Sequence, residues 1–580
     1  MSTTKPGSLA IVLHSHIPYV LSHGRWPHGT DWLLEVTAET YIPLLNALFS
    51  LVDEGCSPKI TVSLTPVLME QLADKSFALE FAAYAKMRAA AAQANKKEFN
   101  ALHDKPMADL ADYWHGYYSS VYSDFKKRYK GSLLKAFAAL QDAGHIEVMT
   151  SSATHGYSPL LSQDESINAQ VKQGVMTYKQ YFNRQPLGYW LPECAYRPGY
   201  QWSAPLQPKS HQVQPYSRKG VEEFLRENGL QYFIVESHLL QGGETHGVYI
   251  DRFGALQKLW KQFSDEQQDT DPVKTPYAFY MLEPAKEDEE PIFVFIRDHV
   301  TGRQVWSRSG GYPGDPSYLE FHKKHSPGGL RYWRVTGPNV DLGQKMIYEP
   351  ETAARMTEEH AKHFVEVAKR TLLDHEAQHG KPGVICAPYD TELYGHWWFE
   401  GVSWLKNVLR TIDKDPEIRT ATCSQYLSEN MPAATISLPE GSWGEGGFHY
   451  MWLNETTDWT WSYVYEAELE MKSLLEKYGK NKTILPILKQ AARELFLLQS
   501  SDWQFCISTK TSKDYGELRL TGHFKNFQRL AALIKKIGDG GEADEAEWTA
   551  YKICEERNSL FKDIDPNWFA SIPGSAKKAE

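Results

Sequence analysis

The 580-residue chain reads as an α/β protein built on a parallel sheet that closes into a barrel. Three observations predict this. Short continuous apolar runs, such as LAIVLH at 9–14, have the pattern of strands buried on both faces. About seven such runs alternate with helical patterns, as they do in βα units. Every motif that groups acid, histidine and aromatic side chains stands at or just after the C-terminal end of a run, where barrels of parallel strands carry their active sites. An open doubly wound sheet obeys a similar end rule and is the alternative.

The first run leads into a helical pattern over 32–53, with Leu33, Leu34, Val36, Tyr41, Leu44, Leu45 and Leu48 on one broad face. KITVSLT at 59–65 is the second strand, closed by Pro66. Residues 67–143 break the alternation with Ala-rich, Lys-rich and aromatic-rich helical stretches, and read as a helical insertion. The rhythm returns with HIEVMTS (145–151), a helix at 163–183, GYWLPE (188–193), a helix at 218–229 and YFIVES (232–237). Residues 238–290 are polar, with Gly pairs and the acidic run KEDEEP, and read as a long loop. FVFIRD (293–298) is a strand, and Val305, Trp306 and Ser307 fall in another long loop. A helix at 350–378 precedes the strand GVICAPYD (383–390), and a helix follows at 396–410. Helices at 461–477, 483–500 and 521–537 then follow a glycine- and aromatic-rich stretch at 442–463. The expected division is a barrel from 1–66 and 144–415, an insertion at 67–143, a C-terminal helical domain at 416–560 and a tail at 561–580 whose GSAKKAE end is frayed.

Composition narrows the function. Hydrophobic content of 42% and charged content of 23% suit an ordinary globular protein. A net charge of −11 without a basic cluster argues against nucleic acid as the partner. The start carries no apolar stretch of signal-peptide length, and no run of about 18 apolar residues exists, so no membrane span is expected. The cysteines Cys56, Cys194, Cys386, Cys423, Cys506 and Cys554 are scattered without a CxxC, which suits free thiols in the cytoplasm. Eighteen Trp and 32 Tyr allow two readings, a large aromatic core or platforms on which sugar rings stack.

Three stretches carry the chemistry: LHSHIPY (13–19), YWLPECAYR (189–197) and APYDTELYGHWW (387–398). Glycoside cleavage commonly uses two carboxyl groups across the scissile bond, about 5–5.5 Å apart when configuration is retained. Glu193 and Asp390 both end predicted strands, so a barrel can bring them together. A pocket of Trp190, Tyr389, Trp397 and Trp398 would raise the pKa of the acid. Against this, Glu193 reads equally as a buried partner of Arg197, and Asp390 as a helix N-cap. His14, His16 and His155 suit hydrogen bonds to sugar hydroxyls and to the nucleophile. They also suit zinc, with an acid as a further ligand, so a metal-dependent carbohydrate deacetylase competes. Trp306, Trp443 and Trp503 read either as stacking platforms or as packing between domains. Cys194 reads as a small structural residue.

Five segments in order resemble glycoside hydrolase family 57, and within it the 1,4-α-glucan branching enzymes: HSHIPYV, SATHGYSP, GYWLPECAYRP, APYDTELYGHWWFEG, and the region around SWGEGG and SSDW. The resemblance implies an incomplete (β/α)7 TIM-like barrel with a helical insertion and a C-terminal helical domain. It implies a retaining mechanism without metal or organic cofactor, acting on α-1,4-glucan such as amylose or a glycogen precursor. The family's nucleophile falls on Glu193 and its general acid/base on Asp390. Its sugar-contacting histidines fall on His14, His16 and His155, its tryptophans near the cleavage point on Trp306 and Trp443, and its C-terminal acid on Asp502. Trp190, Tyr389 and His396 stand inside the same segments and are expected to line the glucan. A loop in the 238–290 region, longer and more acidic here than in shorter members, is expected to cover the site with a tyrosine assigned to Tyr249. Displacement of that loop would favour hydrolysis, and an α-amylase or 4-α-glucanotransferase, which shares both carboxylates and differs in the acceptor, is the alternative within the family. A monomer or weak homo-oligomer is expected.

Overall fold

The computed structural model describes residues 7–25, 28–208, 212–240, 258, 274–284, 289–307 and 310–571. Its strands are β1 (Gly7–Ser15), β2 (Ile60–Leu64), β3 (Ile146–Ser151), β4 (Gly188–Trp190), β5 (Tyr200–Trp202), β6 (Tyr216–Arg218), β7 (Tyr232–Val235), β8 (Phe279–Leu282), β9 (Phe293–Ile296), β10 (Val384–Asp390), β11 (Ile418–Thr420) and β12 (Thr435–Ile436). The main sheet runs β10-β1-β2-β3-β4-β7-β9-β8-β12, with β11 also paired to β1. Every pair in it is parallel except β8 with β9. A single parallel bridge, Arg297 to Cys386, joins the end of β9 to β10. Seven strands therefore curl into a ring whose last joint is a bridge rather than a ladder. This is the incomplete (β/α)7 TIM-like barrel, and the alternating apolar runs predicted each of its strands.

The pleat explains what the barrel presents at its C-terminal end. Ala10 and Val12 of β1 pack inside with Met149, Trp190, Phe295 and Cys386, while Leu9, Ile11 and Leu13 pack outward with the helices. A period of two continues the inward series of β1 to His14. The same period carries Val384 and Cys386 of β10 on to Asp390. Parallel pairing sets His14 directly opposite Asp390.

Helices Pro66–Ala73, Lys75–Ala101, Lys105–Ser123 and Leu133–Asp142 occupy most of the region expected to be an insertion. Their entries are chemical: Asp74 caps the Ser76 amide at 2.7 Å and Asp104 the Met107 amide at 3.2 Å. Helices Asp458–Tyr478, Leu485–Leu498 and Lys513–Gly538 follow the barrel.

Several expectations need correction. The long loop expected over 238–290 contains β8, whose FYML run pairs antiparallel with β9 outside the βα rhythm. Residues 299–306 are helical because Asp298 accepts from the Val300 and Thr301 amides. The helix expected at 396–410 begins at Gly401. The tail expected from 561 is packed as far as it is described, with Phe561, Ile564 and Phe569 buried and Phe569 against Phe496 at 5.0 Å. Tyr249 lies outside the described residues.

The turn before Gly401 has a strict backbone requirement. Gly395 has φ of +105°, and a Cβ there would meet the Glu39 carbonyl oxygen at 1.9 Å. Gly395→Ala is therefore expected to cost about 1–3 kcal/mol through overpacking. It should lower the thermal unfolding midpoint and displace the segment that carries Asp390, which calorimetry with a parallel activity assay would read.

Candidate active site

Three imidazoles from two strand ends form a stack. His16 and His155 lie 4.0 Å apart between ring centroids, His14 and His155 5.1 Å, and His14 rests on Trp190 at 4.5 Å. Each ring is held at both nitrogens. His14 Nδ1 meets Ser63 Oγ at 3.1 Å and its Nε2 meets His155 Nε2 at 3.0 Å. His16 Nδ1 meets Thr65 Oγ1 at 3.1 Å, and its Nε2 meets Asp502 at 2.9 Å. Burial, and then the neighbouring imidazoles, hold His14 well below the usual histidine range. Burial, and then His16, do the same for His155. Both are neutral donors and acceptors at physiological pH. Burial disfavours ionisation of Asp502, but His16, His155 and a hydrogen bond from Ser500 outweigh it and bring the carboxyl down to about 2.

Glu193 follows β4 on a strained turn. Glu193 has φ of 61° and Cys194 of 49°, both left-handed, and His155 in the facing loop has 60°. Such conformations cluster where a side chain must be aimed. The Glu193 carboxylate accepts from the Trp443 indole N–H at 2.8 Å on one oxygen and from Ser501 Oγ at 3.3 Å on the other. His155 Nδ1 is 3.7 Å away. Arg197 is not its partner; that guanidinium pairs with Asp164 at 2.5 Å, out of solvent.

Asp390 is placed differently. Among the described residues, none donates a hydrogen bond to its carboxyl, and it does not cap the short turn Thr391–Leu393 that follows. Glu392 stands two residues on, accepting from the Tyr41 hydroxyl at 2.5 Å and from the His16 amide at 3.2 Å. Burial, and then the charge of Glu392, push Asp390 up to about 7. Glu193 is also pushed to about 7, by burial first, against the Trp443 hydrogen bond and with help from the charge of Asp390. The hydrogen bonds decide which keeps the proton: Glu193 faces two donors and Asp390 none.

This sets a pH dependence. If the two carboxyls act as nucleophile and acid/base, activity is expected to fall on the acid side as Glu193 is protonated and on the alkaline side as Asp390 loses its proton. The alkaline limb is expected near neutrality, set by the carboxyls at about 7. Glu392→Gln removes a charge that raises Asp390 and should move that limb to lower pH, read from kcat/KM profiles. Both carboxyls bind protons more tightly folded than unfolded. Their contribution to stability therefore falls as pH rises from roughly 4 through neutrality.

Of the other residues expected at the site, Trp443 and Trp306 stand beside the pair. Arg297, held by Glu236 at 2.7 Å, lies 5.3 Å from the Trp443 ring and 5.8 Å from the Trp306 ring. Tyr389 is buried, with its ring 6.4 Å from that of Trp306. His396 turns away to Glu39, 3.1 Å off, which also pairs with Arg331 at 3.0 Å. Trp398 packs on Trp404 at 5.3 Å and Tyr318 at 5.6 Å, and Trp397 is 42% exposed, so these two do not form the expected desolvating pocket. Trp503 is buried among the helices with its N–H on the Leu497 carbonyl, which is the packing reading rather than a stacking platform. Sequence reasoning missed Ser501, Glu392, Tyr41 and Arg297. The signal for Glu392 and Arg297 was their place at strand ends and that for Ser501 its place in the SSDW segment between helices, whereas Tyr41 sat in a helical pattern and gave none.

The metal reading has a geometric test. Ligand atoms of His16, His155 and Asp502 lie within 4.8 Å of one another. Yet the two rings stack with only 17° between planes, so their in-plane lone pairs run side by side rather than toward one point. Both nitrogens of His155 are already bonded, to His14 and to Ser501. With both nitrogens of each ring engaged by protein partners, the set does not suit a tetrahedral ion.

Comparison with known proteins gives consistent matches. The sequence model described as glycosyl hydrolase family 57 matches residues 10–439, and that of the 1,4-alpha-glucan branching enzyme C-terminal region matches 463–569. A 1,4-alpha-glucan branching enzyme of Thermococcus kodakarensis is 41% identical over 560 residues, covering 96% of this chain and 78% of that protein. A crystal structure of a branching enzyme of this family from Pyrococcus horikoshii superposes with a TM-score of 0.86 at 41% identity, covering 98% of this chain and 97% of that one. An alpha-amylase from Thermotoga maritima superposes with a TM-score of 0.79 at 27% identity, covering 98% of this chain and 100% of that one.

Proposed function

The chain belongs to glycosyl hydrolase family 57, and we propose that Glu193 and Asp390 run its chemistry as nucleophile and acid/base. It is a 1,4-α-glucan branching enzyme, which cleaves an α-1,4 bond and rejoins the severed chain through an α-1,6 bond. In the first step the Glu193 carboxylate attacks C1 of the glucosyl unit, and Asp390 gives its proton to the departing O4. The product is a glucosyl ester on Glu193. In the second step Asp390 takes the proton of an acceptor 6-hydroxyl as that oxygen attacks C1, and Glu193 leaves as a carboxylate. Two inversions give net retention.

The observation that carries these roles is the asymmetry of the two carboxyl groups. The one with two donors is ready to attack, and the one with none, beside a second buried acid, is ready to donate. Asp502 would accept from sugar hydroxyls, oriented by the stack of His14, His16 and His155, and Trp306 and Trp443 would stack on the glucan. A helical insertion and a C-terminal helical domain would flank the barrel, whose sheet extends past residue 415, since β11 pairs with β1 and β12 with β8. Among the described residues no helix is long and apolar enough to cross a membrane. Six free buried cysteines support a cytoplasmic location.

The likeness to an α-amylase supports a second reading, in which water is the main acceptor. Proton NMR of amylose after incubation separates them. Branching predicts α-1,6 anomeric signals well above new reducing ends. Reducing ends without branches would establish hydrolysis and overturn the branching role.

A further inference from the structure

The hydrogen bonds around Glu193 have a direction, and it can be worked out proton by proton. Ser501 has one hydroxyl proton, and its Oγ is bonded both to Glu193 Oε1 and to His155 Nδ1, the latter at 2.9 Å. Placed on the carboxylate, which can only accept, that proton leaves Ser501 Oγ as an acceptor from His155. His155 therefore carries its proton on Nδ1, and its Nε2 is a bare acceptor. Among the described residues its partner is His14 Nε2 at 3.0 Å, which must then be the protonated one. His14 Nδ1 is left as an acceptor, and Ser63 Oγ at 3.1 Å supplies its proton. Donation thus runs one way, from Ser63 to His14, His155, Ser501 and Glu193. Ser63, His14, His155 and Ser501 are buried, where a hydrogen bond is strong and an unmade one is costly, and Glu193 at the end of the chain is partly exposed.

We infer that Ser501, supplied by the C-terminal helices, is a positioning residue that holds Glu193 as an oriented carboxylate at the end of a one-way hydrogen-bond chain beginning at Ser63. A backbone link locks the chain in place: the Ser501 amide donates to the His155 carbonyl at 3.1 Å while the His155 ring donates back to the Ser501 hydroxyl. The left-handed conformation of His155 turns its ring toward that partner. The helical region is thereby wired to the nucleophile rather than merely packed against the barrel. This inference rests on Glu193 being the nucleophile.

The test uses the full-length chain and the pH dependence of kcat and KM on amylose. Glu193 is faced by Asp390 from β10, Asp502 from the C-terminal helices, His16 from the end of β1 and His155 from the loop after β3. Ser501→Ala leaves all of these in place and removes one donor. It is expected to lower kcat by roughly ten- to a hundredfold, the range for a hydrogen bond to a charged group. KM should change little, and the acid limb should move to higher pH because the carboxylate has lost a donor. Ser63→Ala should move the limb the same way by less. An acid limb unmoved in Ser501→Ala, with kcat within twofold, would overturn the inference. Nitrogen-15 spectra of histidine-labelled wild-type protein give a second readout that does not depend on the variant folding. They should show His155 protonated on Nδ1 and His14 on Nε2, each assigned by its glutamine variant. The opposite tautomers would overturn the chain. Failure of the nucleophile reading would appear separately, as activity retained in Glu193→Gln.

Discussion

Replacing Glu193 with glutamine is expected to lower kcat on amylose by roughly four orders of magnitude or more, as loss of a group that acts in a covalent unit does. The amide is isosteric and can still accept from the Trp443 indole, now 2.8 Å from the carboxylate. The turn at Glu193 and Cys194 belongs to the backbone and does not depend on the charge. Thermal unfolding should therefore be close to wild type, and glucan binding should persist. What disappears is the electron pair that attacks C1. Single-turnover assays should show no glucosyl-enzyme at all, and retention of more than a small percentage of activity would remove Glu193 from the role.

Asp390→Asn is expected to have the second largest effect, roughly a hundred- to ten-thousandfold, the range for general acid catalysis. Its pattern should differ. The first step needs Asp390 only because a sugar O4 is a poor leaving group. A donor such as a glucosyl fluoride departs without a proton, so the variant should form the glucosyl-enzyme from it and then stall, because no base remains for the acceptor hydroxyl. The alkaline limb of the pH profile should vanish in this variant, since the group pushed up to about 7 by burial and by Glu392 is gone. An unchanged alkaline limb would assign that proton to another group.

The barrel was legible because its strands are buried on both faces. LAIVLH and GVICAPYD carry no alternation, and such runs between helical patterns have few other solutions. The site was legible for the same reason, since parallel strands put His14, Glu193 and Asp390 at one end. The departures come from chemistry that periodicity does not encode. Strand β8 was hidden because it pairs antiparallel, outside the repeat. His396 stands in a motif dense with aromatics, yet its partners Glu39 and Arg331 arrive from distant segments and pull it into a separate ion cluster. The residues 37–41 widen into a π-turn, with Tyr41 reaching Glu392 and Glu39 reaching His396, and a 3.6-residue pattern gives no sign of it. Ser501 is a small residue between helices; only three-dimensional contact shows that it touches Glu193.

The central claim is that Glu193 becomes covalently glucosylated while Asp390 manages the proton. The most direct measurement incubates Asp390→Asn with a glucosyl fluoride donor, then digests the protein and maps the modified peptide by mass spectrometry. One glucosyl unit on Glu193, in the peptide carrying Pro192 and Cys194, is the predicted result. A label on Asp502 or another carboxylate, or turnover with no labelled peptide, would contradict the account.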